Sequence, residues 1–367
     1  MPRHYIGLIS GTSMDGVDAV LASFGENALK LSASHAHPYP DDLRRILRAA
    51  ILEPDACGLD ELGALDRWVG ECFRDAARTI IANCGLEAAD IVAIGSHGQT
   101  LRHQPNAGRP FSLQIGDAAT IAEGTGIATV SDFRRADVAA GGQGAPLTPP
   151  FHQWLFATPD ADRIVLNLGG IANITLLPGD DSSVIGFDTG PGNTLLDAWV
   201  NEQRGMPYDS DGKWAAAGKV SRRLLDTLLG DAYFDLPPPK STGFEYFNLD
   251  WLRTNGIDDE RPVDVQATLA ELTAVSVSKA IRKTAPATGE VFVCGGGVHN
   301  EDLLSRLRSQ LPEMSIESTS DIGLDPDWVE AAAFAWLAMR TMDGKTGSLP
   351  SVTGASHKKI LGAIHYP

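Results

Sequence analysis

The stretch His4-Tyr-Ile-Gly-Leu-Ile-Ser-Gly-Thr-Ser-Met-Asp-Gly-Val-Asp-Ala-Val-Leu-Ala22 decides the reading of this chain. An apolar, β-branched run enters a turn of glycines and small polar residues, Gly11 to Gly16, and a second apolar run leaves it. That is a β-hairpin whose turn lets backbone N–H groups come close to an anion, because glycine puts no Cβ in the way. The device recurs roughly half a chain later, as Arg163-Ile-Val-Leu-Asn167, Leu168-Gly169-Gly170 and Ile171-Ala-Asn-Ile-Thr-Leu-Leu177. Neither turn is a Walker A loop, since no lysine follows the glycines as that motif requires. Two phosphate-holding hairpins in one chain predict two related α/β lobes with a nucleotide between them.

Composition agrees with that reading. The 367 residues leave room for two domains with sizeable cores. Hydrophobic residues make up 43% and charged residues 21%, the balance of a soluble globular protein. A net charge of −17 argues against a broad nucleic-acid footprint, which needs clustered Lys and Arg. It leaves ATP open, because backbone N–H groups and Mg²⁺ can neutralise a triphosphate. No stretch nears the about 18 uninterrupted apolar residues of a membrane span. The chain opens on a predicted strand without a charged-then-apolar leader, so the cytoplasm is the expected location. Cys57, Cys72, Cys84 and Cys294 lack paired metal spacing and read as small core residues.

Periodicity predicts helices from Asp41, over Asp60–Cys84 with Gly85 as the stop, around Asp117–Glu123, over Val265–Thr284, from Glu301, and over Asp327–Met342. Strands are predicted at Ile91–Gly95, Ile127–Ser131, Ser183–Phe187 and Val291–Cys294. Asn193 is placed to cap the helix that follows it. Residues 206–262 read as an insertion or a lobe-facing segment, and the apolar tail Ile360–Ile364 as packing back on the body. The Gly- and Pro-rich residues 132–150 read as the crossing between lobes. Lobe I then covers 1–131 with the tail 344–367, and lobe II covers 132–343.

Several residues admit two readings from the sequence. Gly11–Gly16 suits a bare hairpin turn or a phosphate site, and its order with Gly169-Gly170 and the strand-following Gly295-Gly296-Gly297 favours the phosphate. Asp188, where a strand meets Gly/Pro, is a turn aspartate or a carboxylate that accepts or orients a proton in a kinase. His97 is a satisfied structural histidine or, beside Gly98 and Gln99, part of a polar cleft. Arg134 is a surface arginine or a bidentate grip on a substrate carboxylate. For Glu330, among alanines early in a helix, the pattern favours an exposed edge.

The motifs, taken together, resemble one family, the anhydro-N-acetylmuramic acid kinases. They are Gly7–Asp18, Ser96–Thr100, Gln114–Asp117, Asp132–Arg134, Ala139–Leu147, Asn167–Asn173, Phe187–Asn193, Lys240–Gly243, Cys294–Asn300 and Glu330–Phe334. The resemblance implies the actin/hexokinase-like ATPase fold, two ribonuclease-H-like lobes with an active-site cleft between them. It implies a bacterial cell-wall recycling enzyme. The reaction takes 1,6-anhydro-N-acetylmuramic acid, ATP and water to N-acetylmuramic acid 6-phosphate and ADP.

The resemblance makes Asp188 the base, with Glu330 helping to place the water. It puts Gly11, Thr12, Ser13, Met14, Asp15, Gly16 and Asp18 on the β/γ-phosphates, with Mg²⁺ carried by ATP. Asn167, Gly169, Gly170 and Gly295, Gly296, Gly297 line the nucleotide. His97, Gln99 and Arg134 face the sugar, Arg134 towards its lactyl carboxylate. Another sugar kinase of this fold, or a non-catalytic ATP-dependent binder, stays open as an alternative, and so does a homodimer.

Overall fold

The computed structural model describes residues 3–11, 14–26, 28–53, 57–180, 183–257, 259–285 and 289–367. By its contacts the chain divides into two units, Met1–Leu155 with Trp328–Pro367, and Phe156–Asp327.

In the first unit the opening hairpin forms as predicted, β1 (His4–Ile9) against β2 (Gly16–Phe24), with Ile9 opposite Asp18. The antiparallel strand β3 (Leu29–Pro38) extends it. Helices α1 (Asp41–Leu52) and α2 (Leu59–Cys84) follow, the latter stopped by Gly85 in a left-handed conformation. Strand β4 (Ile91–Ser96) then runs parallel to β1. A separate hairpin, β5 (Gln99–Gln104) and β6 (Phe111–Ile115), and helix α3 (Ala118–Thr125) lead to β7 (Thr129–Ser131), parallel to β4. The tail packs back as expected: strand Ala363–His365 pairs with β7, and Leu361 is buried.

The helix Val329–Met342 packs on β1, β2 and β4. Its closeness is fixed by glycine. Gly7 and Gly95 are paired in register on β1 and β4. A Cβ on Gly7 would stand 1.9 Å from the Ala331 carbonyl oxygen, and one on Gly95 2.1 Å from that of Phe334. Ala331, Ala335 and Ala338, four and three residues apart, share the helix face at this junction, where Ala331 and Ala335 backbone atoms approach Gly7 and the Ala338 methyl approaches Gly95.

In the second unit β8 (Arg163–Leu168), β9 (Ile171–Leu177) and β10 (Ile185–Pro191) form an antiparallel meander. Strands β11 (Glu290–Cys294) and β12 (Ser315–Ser318) run parallel beside β8. Helices Pro262–Thr284 and Glu301–Gln310 cover the sheet, with Ile164, Leu166, Ile174, Val277, Val293 and Leu307 in its core. The described residues of 206–262 form short helices around a second core, with Leu224, Phe247 and Leu252, shared with Trp199 on the helix after β10 and Val265 and Leu269 on the helix Pro262–Thr284.

The five-stranded sheet of the second unit and the first five strands of the six-stranded sheet of the first share one order: third, second, first, fourth, fifth, the first three antiparallel and the last two parallel to the first, with the tail strand Ala363–His365 added antiparallel at the edge of the six-stranded sheet. This is the duplicated ribonuclease-H-like lobe of the actin/hexokinase-like ATPases. The crossings, however, lie at 155/156 and 327/328 rather than 131/132 and 343/344. The Gly- and Pro-rich segment belongs to the first unit because it is fastened there. The buried Asp137 carboxylate accepts from the Gly144 N–H and the Thr353 hydroxyl, each at 2.8 Å, and Gln143 N donates to Thr353 O at 2.8 Å. Glu330, assigned to lobe II by the sequence, likewise lies in the first unit, on the helix that covers its sheet.

The glycine contacts give a stability prediction. Gly95→Ala is expected to lower the unfolding free energy in urea by about 2 kcal/mol or more, because a backbone oxygen must move. Gly63→Ala, in α2 with open space around its Cβ, is expected to raise it by about 0.5–1 kcal/mol. Equal effects at the two positions contradict the close approach.

Candidate active site

In the first unit, the turn between β1 and β2 is held from the β4–β5 link. Gln99 is 2% exposed. Its Oε1 accepts from the Ser10 hydroxyl at 2.7 Å, and its Nε2 donates to Gly11 O at 3.4 Å. Met14 turns the chain with φ of 54°, and its N donates to Gly11 O at 3.3 Å. The Asp15 carbonyl accepts from Tyr39 N at 2.9 Å. Gly16 is packing: a Cβ there would meet His37 O at 2.2 Å. Gly11 is different, since no described atom lies within 4 Å of where its Cβ would stand. Thr12 and Ser13 lie outside the described residues.

Two residues before Gln99, His97 is 6% exposed and uses both ring nitrogens internally. Nδ1–H donates to Gly98 O at 2.9 Å. Nε2 accepts from Arg134, from Nη2 at 2.8 Å and Nε at 3.2 Å. Arg134 Nη1 donates to Gly144 O at 2.8 Å, so Asp137, the Gly144 loop, Arg134 and His97 form one chain of contacts. Burial first, and the Arg134 cation second, hold His97 well below the ordinary histidine range. A neutral imidazole with its Nε2 lone pair on a guanidinium orients that arginine. The sequence-predicted sugar-side trio thus resolves into one half-buried arginine and two buried side chains that aim it and the Gly11 turn. The nearby β5–β6 hairpin is polar: His103 Nδ1 meets Ser112 Oγ at 3.0 Å, and Gln114 Nε2 donates to Thr100 Oγ1 at 3.1 Å. Burial, then Arg134, lower the His103 pKa to about 4.

Glu330 lies in the first turn of its helix and is half-buried, between buried Val329 and buried Ala331. It does not stand on the exposed edge that the alanine pattern favours.

In the second unit, Asp188 sits on β10 opposite Asn173, beside a register shift that precedes Gly190. Its Oδ2 accepts from Thr242 N at 2.9 Å. Its backbone is held on both sides: N donates to Lys240 O at 3.1 Å, and O accepts from the Tyr233 hydroxyl at 2.8 Å. In the sequence Lys240–Gly243 is a motif without a role, and Tyr233 carries no signal at all.

The β8–β9 turn is fastened to the next helix through its carbonyls. Gly169 O accepts from Asn193 N, and Gly170 O from Gly192 N and Thr194 N, at 2.9–3.0 Å. Asn193 does not cap its helix through the side chain; its Nδ2 donates to Leu168 O at 3.0 Å instead. Of the last three glycines, two are packing. A Cβ on Gly295 would stand 2.3 Å from Asn167 Oδ1, and one on Gly297 2.5 Å from Leu168 Cβ. Gly296 has open space. Asn167 is buried, with the Cys294 thiol 3.9 Å from its Oδ1. Among the described residues no cluster of three His, Cys, Asp or Glu side chains could hold a metal, and no helix is long and apolar enough to cross a membrane.

The anhydro-N-acetylmuramic acid kinase family model matches residues 3–367. Curated proteins of that name are similar to this chain over its whole length. The one from Coxiella burnetii (strain RSA 493 / Nine Mile phase I) is 50% identical over 370 aligned positions, covering 100% of this chain and 98% of its own. The one from Shewanella sediminis is 50% identical, covering 99% and 98%. The one from Xanthomonas campestris pv. campestris (strain 8004) is 52% identical, covering 98% and 97%.

The histidine geometry is testable by pH. The unfolded chain takes up a proton on His97 near about pH 6.5, which the folded chain refuses. His97 therefore costs no stability above that pH and costs stability as the pH falls below it. Nitrogen-15 NMR is expected to show a neutral, Nδ1-protonated His97 from about pH 5.5 to 8. A midpoint near the ordinary value, or the Nε2-protonated tautomer, contradicts the contact with Arg134.

Proposed function

Because the chain belongs to the anhydro-N-acetylmuramic acid kinase family, we infer that it spends ATP and water on 1,6-anhydro-N-acetylmuramic acid. The products are N-acetylmuramic acid 6-phosphate and ADP, a step of cell-wall recycling, and the use of ATP supports a cytoplasmic setting.

The observation that carries the chemistry is Asp188, a carboxylate held by its own backbone and by one oxygen. In the substrate O6 is part of an internal acetal. Water attacks C1, Asp188 takes the water proton, and the C1–O6 bond breaks. O6 receives the γ-phosphoryl group and ADP leaves. Ordinary inverting glycoside hydrolysis needs a second carboxyl group to protonate the leaving oxygen. Here phosphoryl transfer replaces that proton, so one fixed base suffices. Glu330, half-buried at the start of its helix, is assigned to orient the water.

Open space at Gly11 and Gly296 supports phosphate contact at the first and nucleoside contact at the second. Met14, Asp15 and Asp18 complete the first turn, while Gly16, Gly295 and Gly297 act by shaping the backbone. Asn167, Gly169 and Gly170 are assigned to the nucleotide. Arg134 is assigned to the lactyl carboxylate, with His97 and Gln99 aiming it and the Gly11 turn. Mg²⁺ fits this donor set as an ion carried on ATP oxygens and water: Asp15 and Asp18 offer single carboxylates, the number such ions take beside phosphates. When bound it would offset the charge on the β/γ-phosphates.

Mass spectrometry of the product formed in ¹⁸O-water tests the reaction. The label is expected on the C1 hydroxyl, with unlabelled phosphate on O6. Label in the phosphate, or phosphate on another oxygen, overturns it. Asp188→Asn is expected to keep ATP binding and to lower kcat by about 10²–10⁴-fold, the usual worth of positioned proton transfer. Turnover within about threefold of the parent moves the base elsewhere.

A further inference from the structure

The Lys240-Ser-Thr-Gly243 loop has the composition of a phosphate loop, but its lysine is committed to protein contacts. The Lys240 side chain lies in a residue only 8% exposed. Its Nζ donates to Tyr233 O at 3.0 Å and stands 4.4 Å from the centre of the Tyr233 ring and 5.9 Å from that of Phe187. Tyr233 in turn donates its hydroxyl to Asp188 O at 2.8 Å. The loop that Lys240 begins returns to the same residue, through Lys240 O on Asp188 N and Thr242 N on Asp188 Oδ2. These contacts close a ring around Asp188.

We propose that Lys240 is a positioning residue for the Asp188 base: its ammonium, seated on Tyr233, locks the loop that fixes the carboxylate and keeps a positive charge beside it. The proposal rests on the reading of Asp188 as the base. Burying an ammonium is costly unless a carbonyl, an aromatic face or an opposite charge receives it, and here all three do. The charged groups that act on Lys240 are Asp188 and Asp235, which stabilise the ammonium, and Lys283, which opposes it. Burial lowers the Lys240 pKa from the ordinary lysine value, and burial raises that of the Tyr233 phenol, so the phenol stays neutral. A cation beside a carboxylate favours its ionised form. On this proposal the Lys240 charge favours the ionised Asp188 carboxylate, and its removal is what the pH profile reads.

Steady-state kinetics across pH, on the full chain, test this with Lys240→Met, Lys240→Arg and Asp188→Asn, each checked for a cooperative melt. Lys240→Met is expected to lower kcat by about 10–100-fold, with KM for ATP and sugar within about threefold. The acid limb of its kcat profile is expected to move to higher pH by about half a unit or more, because the carboxylate loses its cation. Lys240→Arg restores the limb while recovering part of kcat. An unmoved limb, or a loss carried by KM, overturns the proposal. If Lys240→Met does not fold, Tyr233→Phe decides: a fall in kcat of about threefold or more at unchanged KM supports the ring, and an unchanged kcat overturns it. An inactive Asp188→Asn beside an unmoved limb defeats the positioning role alone; an active Asp188→Asn defeats the base.

Discussion

A methyl group at position 7 would stand 1.9 Å from the carbonyl oxygen of Ala331, and one at position 95 would stand 2.1 Å from that of Phe334. The first unit is built around that backbone-to-backbone approach. It brings the Val329–Met342 helix onto β1 and β4, and it demands alanine on the facing side of that helix. It sets the Phe334 ring 4.6 Å from His97 and 5.5 Å from Phe133, where the chain leaves β4 and β7. His97 is thereby walled by an aromatic ring, kept neutral and turned to Arg134. The spacing of two strands and a helix thus sets the direction of a guanidinium.

The second unit uses glycine in the same way at its own turns. Gly192 approaches Gly169 O, and Gly295 and Gly297 approach Asn167 and Leu168, so the β8–β9 turn, the end of β10 and the β11 junction lock together. At these turns the glycines differ: Gly11 and Gly296 have open space beside them, whereas Gly16, Gly295 and Gly297 are filled by backbone or side chains. Packing and ligand approach both select glycine, which is why its clusters in the sequence look alike.

The two hairpins and their turns were legible because β-branched runs broken by glycine have few other uses. The long helices followed from periodicity, but the short ones at Arg135–Ala139, Pro149–Phe156, Arg222–Leu229 and Leu249–Thr254 did not. Strand β3 was not legible: Leu29-Lys-Leu-Ser-Ala-Ser-His-Ala-His-Pro38 alternates, but its inner positions end in His35 and His37 and its outer ones include Ala36, which mutes the contrast. The β5–β6 hairpin was missed because its polar residues pair with one another rather than with a core. The segment 132–150 imitated a linker, since a buried carboxylate such as Asp137 leaves no trace in composition. Asp188 and Arg134 were visible as strand-end residues. What holds them was not, because Lys240, Tyr233 and Gly144 meet them only through the fold.

Some of these glycines let backbones touch, and Gly11 is proposed instead to let a nucleotide touch. Calorimetric titration of Gly11→Ala with Mg²⁺ and a non-hydrolysable ATP analogue tests that division most directly. Its open Cβ position predicts an unfolding free energy within about 0.5 kcal/mol of the parent. It also predicts at least about tenfold weaker nucleotide binding, a loss of about 1.4 kcal/mol. Unchanged affinity in a folded variant contradicts the assignment of the β1–β2 turn to phosphate.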